Sequence, residues 1–182
     1  MNQHEIADRE VMPAQFICFI IAGLTGILGN AFLSKTVTPI ASKFADAIFI
    51  TGCILVAMKL ARKGWDLPAS GYTVLSIAWG VFFLSKDFAT QEVGKDIFSS
   101  AFYFLFPSLT LIAFYRPFPT WIKGLTLAVM LPSLIGLIII KLQILLDYES
   151  IARKVNYVLI HVISMIWGSY FYWTYRRESA EH

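Results

Sequence analysis

Charged residues are scarce in this sequence. Only 15% of the 182 residues are Asp, Glu, Lys or Arg, whereas 57% are hydrophobic. Soluble domains carry about 25% charged residues. Apolar runs of about 20 residues, the length that crosses the hydrocarbon core of a bilayer, recur along the whole chain. The composition therefore predicts an integral membrane protein in which residues 1–182 form a single transmembrane domain.

The common motifs of enzyme and metal sites are also missing. The chain has no HExxH, no GxSxG and no P-loop, and it has only two cysteines and three histidines. Cys18 and Cys53 both lie in apolar runs, which favours buried thiols over a disulfide. We expect no catalytic residues, no metal and no cofactor. An enzyme acting on lipid is the least favoured of the functions considered.

Six apolar segments, separated by polar or Pro/Gly-containing breaks, predict an all-α protein. Their unbroken runs do not alternate as the strands of a membrane barrel do. The expected transmembrane helices are 14–34, 38–60, 69–88, 97–115, 120–146 and 154–175. Six spans place both termini on one side, here side A, and the opposite side is side B.

Lysine and arginine are almost evenly divided between the two sides. Three tight basic clusters on side A favour the cytoplasm for that side under the positive-inside rule. We expect a location in a bacterial inner membrane, with both termini cytoplasmic. The positive charges form no stripe that would bind nucleic acid.

A seven-residue pattern occurs twice at the ends of apolar runs. GNAFLSK occupies 29–35 and GVFFLSK occupies 80–86, and Gly136 to Lys141 offers a looser third copy. Recurrence in register predicts three tandem helical hairpins. The alternative is that lysine collects at any helix end by snorkelling, which explains the lysines without a repeat.

Three hairpins with helix ends of the type G-x-x-[FI]-[LF] resemble the HdeD-like acid-resistance membrane proteins. That family consists of small six-helix proteins of the bacterial inner membrane. The resemblance implies a stress-related, non-enzymatic membrane protein and supplies no functional residues. The family often has proline directly after the odd-numbered helices, and here only Thr38-Pro39 approaches that pattern.

Several ionisable residues are expected towards the side B ends of the helices. They are Asp46, Lys86, Asp87, Lys141 and His161. An ionisable group at mid-membrane costs at least about 2.5–3.5 kcal/mol, so such groups face a bundle interior or a wet cavity. The functional interpretation is a polar vestibule open to side B, with Asp46 and His161 deepest.

Each of these residues also has a structural interpretation. The lysines can snorkel to the interface. His161 can hydrogen-bond a neighbouring helix. Lys43 lies three residues before Asp46 on the same helical face and can pair with it.

Prolines fall near the middle of two consecutive predicted helices. Pro107 and Pro132 each remove a backbone donor and expose the carbonyl one turn earlier, and Ser108 and Ser133 follow them. Two broken helices at mid-membrane indicate a transport site. The alternative is a pair of tolerated kinks, because proline is common in membrane helices.

Gly23, Gly26 and Gly29 recur every three residues on the first helix. Such a smooth face predicts close helix packing, either within the chain or between subunits.

Together these features favour a small channel or transporter-like protein for an ion or small solute. Its path would include the proline pairs and the side B residues, and His161 would make it pH-responsive. We expect it to be a homo-oligomer or to have a membrane-protein partner within the lipid bilayer. The alternative is a non-transporting structural or accessory subunit.

Overall fold

The computed structural model describes residues 3–32, 37–88, 92–142 and 148–180, and helices account for the regular structure of these residues. The six α-helices are α1 (Gln3–Phe32), α2 (Thr38–Arg62), α3 (Asp66–Ser85), α4 (Glu92–Ala113), α5 (Thr120–Leu142) and α6 (Tyr148–Ala180). A short 3-10 turn, Lys86–Phe88, follows α3. The all-α prediction is confirmed for the described part of the chain.

Four segments are long and apolar enough to cross a membrane. They are Val11–Gly29, Thr38–Arg62, Asp66–Phe88 and Asp96–Ala113. A shorter apolar helical segment, Thr120–Pro132, lies in α5. These segments support a membrane-embedded protein.

The helices form a closed ring in which each helix packs against its neighbours in sequence and α6 returns to pack against α1. Large side chains fill the interior of this ring. Phe49 and Trp79 have ring centroids 4.6 Å apart, and Tyr72 and Trp167 have centroids 5.4 Å apart. All four side chains are buried. The ring therefore has an aromatic core.

The link between α2 and α3 is a tight helix end built on glycine. Gly64 has φ +75°, which a residue with a β-carbon rarely adopts. Its N–H donates to the carbonyl of Ala61, and the N–H of Trp65 donates to the carbonyl of Leu60. This pair of bonds is a Schellman motif, which satisfies the last carbonyls of α2. It holds α2 and α3 side by side as a hairpin.

Several helix ends differ from the sequence-based expectation. Helix α1 begins at Gln3 rather than at Ala14, and α6 runs from Tyr148 to Ala180 rather than from 154 to 175. Apolar runs mark only the part of a helix that lies in lipid, whereas polar helix-forming residues extend it into water. Helix α3 begins at Asp66 because Pro68 is tolerated in the first turn, where backbone N–H groups have no helical acceptor. Residues 33, 34 and 143–146 of the predicted helices lie outside the described residues.

Candidate functional site

Asp46 lies on the inner face of α2 with 0% of its surface exposed. Three donors from other elements meet its carboxylate. The indole Nε1 of Trp79 on α3 donates to Oδ1 at 3.1 Å, and the hydroxyl of Tyr157 on α6 donates to Oδ1 at 3.2 Å. Lys86 forms an ion pair with Oδ2. Asp46, Trp79, Lys86, Tyr157 and His161 are together called the Asp46 cluster below.

Lys86 connects the Asp46 cluster to the side B end of the helices. Its side chain is 29% exposed, whereas that of Asp46 is 1% exposed. The ammonium also donates to the hydroxyl of Ser42 and lies 5.2 Å from the centroid of the Tyr157 ring. One end of the ion pair is therefore open to the surroundings and the other end is enclosed.

Lys43 and Asp87 form a second ion pair beside the first. Their side chains are 35% and 47% exposed. The proposed pairing of Lys43 with Asp46 on one helix face is therefore wrong. Lys43 instead pairs with Asp87 on the turn after α3. The lysine that reaches Asp46 is Lys86, which lies on that same turn.

His161 is also buried, with 0% of its surface exposed. Its Nδ1 lies 2.8 Å from the backbone carbonyl oxygen of Tyr157. A carbonyl only accepts, so we assign the proton of the neutral ring to Nδ1, which leaves a lone pair on Nε2. That Nε2 has no hydrogen-bond partner among the described residues. For the alternative interpretation, a hydrogen bond from His161 to a neighbouring helix, no such bond is found among the described residues, and the nitrogen that is bonded contacts its own helix.

Aromatic rings join His161 to the rest of the Asp46 cluster. The imidazole centroid lies 4.3 Å from that of Tyr157 and 5.6 Å from that of Trp79. Both of these residues also donate to Asp46. The two deepest residues of the predicted vestibule therefore lie in one cluster, with shared neighbours.

The glycine face of α1 is covered by α6. A β-carbon at Gly26 would lie 2.9 Å from Nε2 of His161 and 3.1 Å from the Tyr157 hydroxyl. A β-carbon at Gly23 would lie 2.6 Å from Sδ of Met165. Gly29 is buried, and its carbonyl accepts a hydrogen bond from the Thr38 hydroxyl at 3.3 Å. Gly23 and Gly26 therefore serve packing within the chain, and Gly26 gives His161 its room.

The two prolines do not join the Asp46 cluster. Helix α4 continues through Pro107 and α5 continues through Pro132, so the expected interruptions are not seen. Pro107 is exposed and Pro132 is partly exposed. The Ser108 hydroxyl donates to the carbonyl of Leu105 at 2.7 Å within α4. Each helix tolerates the missing N–H, and neither proline forms a site with the described residues around it. The side chains of Ser133 and Lys141 lie outside the described residues.

Sequence reasoning missed Trp79 and Tyr157 as site residues. Tyr157 lies one helical turn before His161, and this spacing alone predicts that the two side chains share a helix face. Trp79 gave no such signal, because an indole in an apolar run is ordinarily core. Only the packing of α3 against α2 reveals that its N–H reaches Asp46.

The donor set around Asp46 limits what the cluster can bind. Trp79 and Lys86 donate hydrogen bonds and cannot ligate a cation through lone pairs. No group of three or more His, Cys, Asp or Glu residues suited to a metal ion occurs within the described ranges. The carboxylate of Asp46 and the unprotonated Nε2 of His161 are the groups of the cluster that can each accept a proton.

Comparisons with protein-family models, curated proteins and solved structures found no match to this chain. The resemblance to the HdeD-like proteins stays a prediction.

Proposed function

We propose that this chain is a multi-pass membrane protein that transports a small ion or solute in a proton-responsive manner. The observation that supports it is the ion pair of Asp46 and Lys86. This pair joins a fully buried carboxylate to a partly open side B end. The function would be non-enzymatic, in keeping with the HdeD-like resemblance.

A purely structural role does not explain why these buried residues are ionisable. Replacing a buried ion pair by well-packed apolar residues is often neutral or stabilising. Ionisable residues within membrane helices are rare and mark ion pathways and proton relays. The unused lone pair of His161, next to the partners of Asp46, fits a relay better than a packing contact.

A proton on Asp46 supplies a simple mechanism. It would remove the charge that holds Lys86, while the Trp79 and Tyr157 donors would still meet a carboxyl oxygen. Lys86 would then be free to move towards side B, which would open the space between α2, α3 and α6. In this mechanism the Asp46–Lys86 pair is the two-state element, and a proton on Asp46 biases it.

The proposed topology has six spans arranged as three tandem hairpins. Helix α6 is not among the segments whose hydropathy marks them as candidate membrane spans. Its contacts nevertheless run the length of the bundle. His161 meets Trp79 near side B, and Phe171 lies 5.5 Å from Tyr115, just past the side A end of α4. The Trp167 indole donates to Thr126 on α5 at 3.1 Å. A membrane that encloses the four apolar spans would thus enclose α5 and α6. We place side A in the cytoplasm of a bacterium.

A non-transporting accessory subunit is the second candidate. The filled aromatic interior favours it, since Phe49, Trp79 and Trp167 occupy the space where a path would run. Under this hypothesis the bundle would be stable only with a partner, and the buried charges would fix helix register.

Flux into liposomes containing the purified protein separates the two. Protons, common ions and small neutral solutes are compared at pH 5 and pH 7.5. We expect flux that depends on pH. Asp46→Asn, which lacks the charge that holds Lys86, should remove that pH dependence, and His161→Ala should shift it along the pH axis. The matched control is Asp66→Asn, which removes an exposed carboxylate at the side A end of α3. Absence of flux from folded protein at both pH values contradicts the transport proposal.

A further inference from the structure

A second set of buried polar atoms lies in the side A half of the bundle. The side-chain amide of Gln15 on α1 and the hydroxyl of Tyr72 on α3 belong to residues with 0% exposure. Both polar atoms of the amide and the hydroxyl oxygen have no hydrogen-bond partner within the described part of the chain. The Asp46 cluster uses none of these atoms.

The depth of the two residues follows from the helices that carry them. Gly26 of α1 and Trp79 of α3 both contact His161 and mark the level of the Asp46 cluster. Gln15 lies about 16 Å nearer to side A along α1, and Tyr72 lies about 10 Å nearer along α3, at 1.5 Å per residue. Side chains lean towards the helix N-terminus, which is side A for both helices. The two residues therefore occupy the same half of the interior.

An aromatic layer separates these atoms from the Asp46 cluster. Phe19 lies one turn after Gln15, and its ring centroid is 5.8 Å from that of Phe49. Phe19 also packs onto two glycines, since β-carbons at Gly52 and Gly168 would each lie 3.0 Å from its ring. Phe49 in turn lies 5.5 Å from His161. Apolar rings thus lie between the level of Gln15 and that of the Asp46 cluster.

The two groups without partners in this half of the described interior are neutral, whereas Lys59, a buried cation of the same half, lies with its ammonium 5.5 Å from the centroid of the Tyr175 ring. Gln15 offers two donors and a carbonyl acceptor, and Tyr72 offers a hydroxyl that both donates and accepts. Cys53, another uncharged group, belongs to the same cluster of buried side chains as Tyr72. Other buried hydroxyls have partners: Thr126 donates to the carbonyl of Ile122 at 2.8 Å and accepts from Trp167. Polar atoms left without a partner in a packed interior are costly, and water or a ligand normally satisfies them.

We propose that Gln15 and Tyr72 form a binding site for a small neutral molecule that both donates and accepts hydrogen bonds. Water is the smallest such molecule, and a urea-like or amide-like solute has the same chemistry. The site stands apart from the Asp46 cluster and does not require that the chain transports anything.

The direction of a stability change tests whether the site is occupied. If nothing binds, Tyr72→Phe and Gln15→Leu remove unsatisfied groups and raise the melting temperature by about 2–4 °C. If a molecule is bound, each substitution removes its hydrogen bonds and lowers the melting temperature. Thr126→Val, which removes a hydroxyl with a known partner, sets the scale for a lost bond. We expect Tyr72→Phe and Gln15→Leu to shift in the same direction as Thr126→Val, and a rise for both would overturn the proposal.

Cys53 distinguishes water from a larger occupant. In a Cys18→Ala background it is the remaining thiol. Iodoacetamide, itself a small neutral amide, should label Cys53 in the folded protein if such solutes enter, and added urea or acetamide should slow the labelling severalfold. Lowered stability of the Tyr72 and Gln15 variants, with no effect of added acetamide on the melting temperature of the unsubstituted protein, identifies water as the occupant. Raised stability of both variants shows that the site is empty and refutes the proposal.

Discussion

Lys86, on the turn after α3, forms an ion pair with Asp46, which is enclosed within α2, α3 and α6. Lys86→Met would leave a buried carboxylate without its counter-ion. We expect a loss of about 3 kcal/mol in the free energy of unfolding, at the lower end for buried pairs because Lys86 is partly exposed. Chemical denaturation in mixed micelles measures it.

Asp46→Asn in the same experiment removes the charge that Lys86 neutralises. The double variant Asp46→Asn/Lys86→Met should be more stable than Lys86→Met alone, since no uncompensated charge is buried. Independent, additive losses would show that the two side chains do not interact.

Gly26→Ala should destabilise the protein more than the same substitution at neighbouring glycines of α1. A β-carbon there would meet the imidazole and the Tyr157 hydroxyl, which are both held by hydrogen bonds. We expect a loss of about 1–3 kcal/mol from overpacking. Gly23→Ala should cost less, because the Met165 side chain can move aside.

Gly80→Ala is the control for helix propensity. Nothing lies within 4 Å of a β-carbon built at Gly80. Alanine in an open helical position should stabilise α3 by about 0.5–1 kcal/mol. Equal effects at Gly26 and Gly80 would contradict the close approach of His161 to α1.

Tyr157→Phe removes one donor from Asp46 and keeps the ring that contacts Lys86, Trp79 and His161. A hydrogen bond to a charged group contributes about 1.5–3 kcal/mol, and its length of 3.2 Å suggests the lower value. The substitution should also shift the pH dependence of flux. In an Asp46→Asn background, Tyr157→Phe should cause a smaller loss of stability. An equally large loss would show that the hydroxyl stabilises the protein through a partner other than the Asp46 carboxylate.

Thr126→Val tests the contact that ties α6 to α5. It leaves the buried indole N–H of Trp167 without an acceptor, which should cost about 1–3 kcal/mol. Thr126→Ser keeps the hydroxyl and should retain most of the stability. If the two variants lose the same amount, the threonine methyl group rather than the hydroxyl is responsible.

The sequence predicted the helices better than the site. Long apolar runs indicate helices reliably, but they carry no information on where the polar ends of α1 and α6 stop. Asp46 and His161 stood out because charge is rare in apolar segments. Their partners did not, since Lys86 resembled a snorkelling lysine and Trp79 resembled a core residue. Pairing across helices depends on how the helices are rotated, which periodicity alone does not determine.

The proline pair shows the opposite error. Pro107 and Pro132 suggested breaks because each lacks an N–H, yet the described helices continue through both. A membrane helix tolerates one missing bond when neighbouring groups satisfy the freed carbonyl. A proline therefore indicates a site only when other polar residues converge on it.

We propose that the buried carboxyl of Asp46 is the group through which the protein responds to protons. Labelling with a hydrophobic carbodiimide, which reacts with protonated carboxyls in apolar surroundings, tests this role without any substitution in the chain. The labelled fraction of Asp46, measured by peptide mass analysis, should rise as the pH on side B falls. A labelled Asp46 can no longer take up or release a proton, so the pH dependence of liposome flux should be lost in proportion to the labelled fraction. Complete labelling of Asp46 with an unchanged pH dependence of flux would contradict this role for Asp46.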